Sequence, residues 1–226
     1  HGDLWKFTVT PAAIDFSTVQ KTREYNGEAT ESFTFTTELG DELTVTYTAY
    51  SKNVGIYTYI SGTTPGTGEY TISFSGAAVD NYVITPKDFN SFTIEKKGLI
   101  YDTVDMAITF DSGVNYKSVF PATGVGAETL TITYVSYSDS VGEYAYSATE
   151  GEGKYTLTFA NGTKGGLTAN YDVQVGETSG IFTINQNPIN YVTVDNEEPY
   201  NGTGVYKYEL DTGSGQTLLV VYTAAS

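Results

Sequence analysis

Three stretches of this 226-residue chain repeat one another. Phe7-Thr8-Val9 returns as Phe92-Thr93-Ile94 and again as Phe182-Thr183-Ile184, at offsets of 85 and 90 residues. Eighteen positions after each Phe stands an aromatic residue followed by turn formers: Tyr25-Asn26-Gly27, Phe110-Asp111-Ser112-Gly113 and Tyr200-Asn201-Gly202. Leu43-Thr44-Val45-Thr46-Tyr47 matches Leu130-Thr131-Ile132-Thr133-Tyr134, and Leu218-Leu219-Val220-Val221-Tyr222 falls in the same place. Val54–Tyr59 pairs with Val141–Tyr146, Gly68–Phe74 with Gly153–Phe159, and Asn81–Ile84 with Asn170–Val173. A period of this length restricts the chain to modular architecture, in which every copy builds the same supersecondary unit.

Within each copy the apolar residues alternate. Leu43, Val45 and Tyr47 share one face of a strand and Thr44 and Thr46 the other; Tyr70, Ile72 and Phe74 do the same around Thr71 and Ser73. Val, Ile, Phe, Tyr and Thr suit a half-buried pleated surface, and Asn-Gly pairs accept the positive φ of tight hairpins. Six or seven short strands per copy, spaced about ten residues apart with no helical stretch between, predict an all-β chain of tandem Ig-like antiparallel β-sandwiches. Cutting at each Phe gives repeat 1 over 7–91, repeat 2 over 92–181 and a partial third repeat over 182–226, about two and a half units. A half sandwich exposes an apolar face and open strand edges. It packs on a neighbour as part of a longer array, is completed by strands of the next molecule in a head-to-tail fibre, or has become a minimal cap.

Composition narrows the function. Eleven basic residues stand against 27 acidic ones, a net charge of −16, which disfavours nucleic acid and anionic lipid as partners. No stretch approaches the roughly 20 apolar residues of a membrane-spanning helix, so membrane insertion is not expected. There is no cysteine, and the one histidine is His1. Ser-His-Asp, Cys-His and His-based zinc chemistry therefore have no residues to use, and nothing in the spacing pairs two carboxylates for acid–base work. The expectation is a non-enzyme without cofactor or metal. Asp102/Asp105, Asp80/Asp88 and Asp195/Glu197/Glu198 lie at repeat junctions where a calcium ion could sit, but they lack the Asp-x-Asp-x-Asp-Gly spacing and read as turn carboxylates.

The chain has 20 tyrosines, and most recur at matching places: Tyr47/Tyr134/Tyr222, Tyr57/Tyr144, Tyr59/Tyr146, Tyr70/Tyr155 and Tyr82/Tyr171. Recurrence marks them as framework. Trp5, Phe33, Phe35, Phe89, Phe120, Tyr116, Tyr206 and Tyr208 do not recur so neatly and are the candidate contact patch, for a subunit, a glycan or a host protein. Lys6, Lys96, Lys97, Asn81 and Asn170 are the residue types of an isopeptide cross-link, yet no lysine holds a repeated core position. Asn161-Gly162-Thr163 and Asn201-Gly202-Thr203 match the glycosylation acceptor pattern and also read as hairpin turns.

The stretches around Tyr25-Asn26-Gly27 and Tyr200-Asn201-Gly202 resemble the Lys-x-Tyr-Asp-Gly-Thr signature of the YDG/MBG group of bacterial Ig-like surface domains. Asn81-Tyr82-Val83-Ile84-Thr85-Pro86, Asn170-Tyr171-Asp172-Val173 and Val9-Thr10-Pro11 are similar to the strand and junction that close one such unit and open the next. No copy carries the full Tyr-Asp-Gly-Thr string, and Phe110-Asp111-Ser112-Gly113 has an inserted residue. The resemblance implies an extracellular, cell-surface array of stalk or adhesin modules, partnered by copies of itself or by flanking Ig-like domains, with no catalytic residues. The alternative is a module binding carbohydrate or a host protein.

Overall fold

A computed structural model describes residues 6–17, 21–88, 90–111, 117–177, 179–192, 197–199 and 201–223. Among these residues regular structure is β-strand, apart from two single 3₁₀ turns at Val79–Asn81 and Thr168–Asn170. The first eight strands are β1 (Ala12–Ser17), β2 (Lys21–Glu24), β3 (Thr30–Thr36), β4 (Glu42–Ala49), β5 (Gly55–Tyr59), β6 (Glu69–Ser75), β7 (Tyr82–Lys87) and β8 (Phe92–Glu95). The next eight are β9 (Lys97–Tyr101), β10 (Met106–Thr109), β11 (Lys117–Thr123), β12 (Thr129–Ser136), β13 (Gly142–Tyr146), β14 (Lys154–Asn161), β15 (Tyr171–Val175) and β16 (Ile181–Asn185). A final hairpin is formed by β17 (Val205–Asp211) and β18 (Thr217–Thr223).

The repeat is visible in the topology. One six-stranded sheet has the order β2-β8-β5-β6-β4-β3 and the other β10-β16-β13-β14-β12-β11, so every strand of the second set corresponds to the strand eight places earlier. The two-stranded ribbons β1-β7 and β9-β15 correspond in the same way. Each six-stranded set bends about a narrow join. β5 and β6 share only two residue pairs, Thr58↔Glu69 and Tyr59↔Tyr70, and β13 and β14 likewise share Ala145↔Lys154 and Tyr146↔Tyr155. The bend lets strands from the two ends of one sheet close over a common aromatic core.

Antiparallel pairing holds for β3–β4, β4–β6 and β5–β8. It does not hold throughout. β1–β7, β2–β8 and β5–β6 are parallel, as are β10–β16 and β13–β14, so the sheets are mixed where the sequence predicted antiparallel ones. Turn chemistry specifies neighbours joined by a short hairpin. It is silent about β2 and β8, whose partners Thr22 and Thr93 lie 71 residues apart.

The repeat also has a phase that its period does not reveal. Phe92 begins β8, which pairs with β2 and β5 and so closes the first sheet; Phe182 in β16 closes the second against β10 and β13. Phe92 and Phe182 are completely buried, whereas Phe7 is 90% exposed and outside any strand. A cut at each Phe therefore passes between a sheet and its closing strand, and sheet membership groups residues 12–95 and 97–185. Compactness groups them slightly differently. One unit comprises His1–Leu99, Thr123–Leu130 and Asn161–Gln174, the other Ile100–Ala122, Thr131–Ala160 and Val175–Ser226.

Candidate functional site

The aromatic core of the first unit is a cluster of tyrosines around one phenylalanine. Tyr47 of β4 stacks on Tyr70 of β6 (centroids 5.5 Å apart, planes 10° apart), and both meet Phe92 of β8, at 5.8 and 5.9 Å. Tyr57 and Tyr59 of β5 complete it against Phe92 and Tyr70. The second unit builds the same cluster one period later: Tyr134 stacks on Tyr155 at 5.2 Å, both meet Phe182 at 6.0 Å, and Tyr144 and Tyr146 flank them. Each pair in such a cluster contributes about 0.5–1.5 kcal/mol beyond area burial.

The hydroxyls are satisfied in matching ways. Tyr57 donates to the Asn53 carbonyl (2.7 Å) as Tyr144 does to that of Ser140 (2.6 Å); Tyr70 donates to the Asn90 carbonyl (2.6 Å) as Tyr155 does to that of Gly180 (3.0 Å). One hydroxyl breaks the symmetry. Tyr134 shares a hydrogen bond of 2.8 Å with the hydroxyl of Tyr101. At the place of Tyr101 the first unit carries Phe16, packed on Phe35 and Phe74 at 5.1 Å, and the buried hydroxyl of Tyr47 has no hydrogen-bond partner among the described residues.

The most distinctive chemistry lies in the first unit, around Glu128. This residue is only 7% exposed, which for a carboxylate demands paired and hydrogen-bonded surroundings. It has them. The hydroxyl of Tyr25 donates to both carboxylate oxygens (2.8 and 2.9 Å), that of Tyr171 to Oε2 (2.9 Å), and the Lys52 ammonium to Oε1 (2.6 Å). The turn around Glu128 is fixed by Gly124, whose N–H donates to the Glu128 carbonyl (2.8 Å), and by Val125, whose N–H donates to the Tyr171 hydroxyl (2.8 Å). Buried Asn170 accepts from the Val54 N–H and donates to the Asn53 side chain, both at 3.0 Å, tying the loop before Tyr171 to the one that carries Lys52.

Two glycines admit this cluster. A Cβ on Gly124 would lie 2.2 Å from the Tyr171 hydroxyl oxygen. Gly27, the third residue of the Tyr25-Asn26-Gly27 turn, has φ +86°, and a Cβ there would lie 3.0 Å from Val125 Cγ1. Left-handed backbone and close approach both call for glycine at that turn.

The electrostatics favour an ionised acid. Burial pushes the Glu128 carboxyl up, but the hydrogen bonds from Lys52, Tyr25 and Tyr171 outweigh it and hold the group below its ordinary range. Lys52 is raised, chiefly by its bond to Glu128. Burial, then the neighbouring carboxylate, raises Tyr25, and burial above all pushes Tyr171 up to about 12. A carboxylate offers about four lone-pair directions. With Tyr25, Tyr171 and Lys52 on its two oxygens, Glu128 is engaged as a fastening for buried hydroxyls and is not poised to take a proton from a ligand.

The cluster is peculiar to one place in the repeat. In the third copy Gln216 stands where Glu128 does, and both close the same turn: Gly124 N–H donates to Glu128 O at 2.8 Å and Thr212 N–H to Gln216 O at 3.0 Å. Tyr25 is matched one period on by Phe110, and Lys52 by Asp139. Hydroxyl, carboxylate and ammonium are thus all replaced together. Asp41 occupies the corresponding turn of the first copy and receives the hydroxyl of Tyr82 at 2.6 Å.

Of the residues singled out in the sequence, the structure draws Tyr25, Gly27, Asn170 and Tyr171 to the Glu128 cluster. Asn26 is exposed; its side-chain oxygen accepts from Arg23 and from the Glu28 N–H (3.0 Å). Phe110 is half-buried, donating its N–H to the Asn185 carbonyl (2.9 Å), and Asp111 is exposed. Asn201 holds a turn, accepting from Thr203 and Gly204 and donating to the Val205 carbonyl (2.7 Å), with Gly202 at φ +79°. Phe33 lies under Lys21 Nζ (3.7 Å) and beside Tyr47, and Phe35 packs on Phe16 and Phe74, so both serve the first unit's own packing. Tyr206 donates to the Pro199 carbonyl (3.1 Å), and Tyr208 packs edge-on against Tyr222. Trp5, Phe89, Gly113, Tyr116, Asp195 and Tyr200 lie outside the described residues, and Phe120 is described only as backbone of β11.

Nothing in the sequence reading points to Glu128, Lys52 or Gly124, and Asn170 stands there as a cross-link candidate and a junction residue, not as a partner of Asn53 and Val54. An acidic residue in a turn reads as solvated, and only the alignment of Asp41, Glu128 and Gln216 against Tyr82 and Tyr171 carried a signal. Among the described residues no three His, Cys, Asp or Glu side chains come together as metal ligands, and no helix is long and apolar enough to cross a membrane. Asp105 accepts the Ile181 N–H (2.9 Å), and Lys97 pairs with Glu24 (3.1 Å). No family model, no curated protein and no solved structure matches this chain.

Proposed function

We propose that the chain is a non-catalytic structural or adhesive segment of an extracellular, cell-surface stalk or fibre, built of tandem Ig-like units. The observation that carries this reading is the duplicated framework: one strand order and one tyrosine cluster, used twice. A fold that spends its aromatic residues on identical cores in successive units is organised to add length and stiffness, and repetition of this kind is how modular arrays reach across a distance. The −16 charge supports it, because like-charged neighbouring arrays repel and stay soluble. The glycan- or host-protein-binding alternative finds less support, since Phe33 and Phe35 are engaged in the first unit's own packing and Tyr208 packs on Tyr222.

Single-molecule stretching of the full chain tests the proposal. Two unfolding events are expected, each releasing on the order of 300 Å of chain for a period of 85 residues at about 3.5 Å per residue. Unfolding in one low-force step, together with glycan-array binding that Phe33→Ala abolishes, would replace the structural reading with the binding one.

A further inference from the structure

The hairpin β17–β18 is a third copy of β3–β4. Val205↔Thr223 reproduces the register of Thr30↔Thr48 at a constant offset of 175 residues, and the connecting turn repeats too: Thr37 N–H donates to Asp41 O as Thr212 N–H does to Gln216 O. What differs is the company. β4 lies inside its sheet between β3 and β6, and β12 between β11 and β14, whereas β18 pairs only with β17 among the described residues. The side chains record the difference. Leu43, Val45 and Tyr47 are buried to within 1%, as are Leu130, Ile132 and Tyr134, but at the equivalent places of β18 Leu218 is 48% exposed and Val220 and Tyr222 are only half-buried.

We propose that the open edge of β18 is an acceptor for a strand of the β6/β14 kind, supplied by a further repeat of this same unit. The two complete copies define the occupant. In both, the strand on this edge reads Tyr-Thr-(Ile/Leu)-(Ser/Thr)-Phe, as Tyr70–Phe74 and Tyr155–Phe159, and in the first it runs antiparallel with Val45↔Phe74 and Tyr47↔Ile72. Transferred by the offset, Val220 faces the donor's Phe and Tyr222 its Ile or Leu. The donor's Tyr then reaches Tyr222 as Tyr70 reaches Tyr47. The edge that β18 presents is also defined. Ala49 N–H donates to Ala29 O on the β3 side, and Tyr50 and Tyr137 N–H donate to Glu69 O and Lys154 O on the β6 and β14 side. Backbone groups alternate along a strand. The outward-facing amides of β18 are therefore those of Leu219, Val221 and Thr223. The inference rests on the repeat alone and holds whether or not the chain resides at a cell surface.

The test adds synthetic strands of residues 68–76 (GEYTISFSG) or 153–161 (GKYTLTFAN) to the full chain. Binding is read by fluorescence anisotropy of the labelled strand and by hydrogen exchange of β18. Expected are 1:1 binding and at least tenfold slower exchange at Leu219, Val221 and Thr223 with Leu218, Val220 and Tyr222 little changed. A strand of the same composition with Tyr and Phe moved to the Thr face should bind at least tenfold more weakly. Val221→Pro, which removes an outward amide and leaves the β17 ladder intact, should weaken binding by a similar factor. No binding at millimolar strand, equal binding of the rearranged strand, protection of the Leu218, Val220 and Tyr222 set, or a chain already dimerised through its β18 edges would each overturn the proposal. None of these results bears on the two-event unfolding that tests the structural function.

Discussion

Removing the charge of Glu128 should loosen the whole first unit, and the size of the effect follows from what its partners lose. Glu128→Gln keeps the volume but replaces one acceptor oxygen with a donor that points at a hydroxyl or at Lys52. Tyr25 is completely buried, so its hydroxyl has no water to turn to, and a buried polar group left unpaired costs about 1–3 kcal/mol. Tyr171 keeps the bond it accepts from Val125 but loses charge assistance, about 1 kcal/mol more. The Lys52 side chain is 45% exposed and rehydrates, so its share is close to zero. Together these give a loss on the order of 2–4 kcal/mol. Tyr25→Phe should cost less, about 1–2 kcal/mol, because it removes the needy hydroxyl along with its bond. The double variant recreates the Phe110 and Gln216 combination of the next repeat, and it should cost at least about 1 kcal/mol less than the two singles added together. Hydrogen exchange under native conditions reads this locally. The Tyr25 amide, which donates to the Glu95 carbonyl at 2.8 Å, should exchange roughly 30- to 900-fold faster in Glu128→Gln. A loss below about 0.5 kcal/mol, or strict additivity of the pair, would refute the account of Glu128 as the fastening of this unit.

The unmatched hydroxyl predicts an asymmetry: Tyr47→Phe should be neutral or stabilising by up to about 1 kcal/mol, while Tyr134→Phe strands the hydroxyl of Tyr101 and should cost about 1 kcal/mol, both read by urea denaturation. Gly124→Ala should destabilise by more than about 2 kcal/mol, because its Cβ would lie 2.2 Å from the Tyr171 hydroxyl and the ring would have to leave Glu128; an unchanged midpoint would exclude the packing described. The cluster also gives stability a pH window. The depressed carboxyl of Glu128 contributes above the ordinary carboxylate value of about 4.3 and loses its contribution as pH falls through its folded pKa. Raised Tyr25, Tyr171 and Lys52 contribute fully below about pH 10 and lose it as pH rises through their folded values, about 12 for Tyr171. Wild type minus Glu128→Gln, followed by thermal unfolding, should therefore be flat from about pH 5 to 9 and shrink on either side.

The period, the strands and the tyrosine framework were legible because they are written locally. Alternation puts Tyr70, Ile72 and Phe74 on one face, and recurrence separates Tyr47 and Tyr134 from aromatic residues that could serve a ligand. Phase was not legible, because Phe7, Phe92 and Phe182 look alike and only pairing with β2 and β10 distinguishes a closing strand from an opening one. Parallel pairing was hidden for the same reason: no turn residue reports a partner 71 positions away. Glu128 was hidden by its type. The donors that make its burial affordable, Tyr25 and Lys52, lie 103 and 76 residues away, and no local pattern joins them to it.

The central claim is that one fold, with its own parallel closing strand, occurs twice in this chain. Solution NMR of the full chain tests it through cross-strand Overhauser contacts. Contacts in parallel register are predicted between Thr22 and Thr93 and, one period on, between Ala107 and Thr183. Antiparallel contacts for either pair, or parallel contacts in one copy without the other, would contradict it.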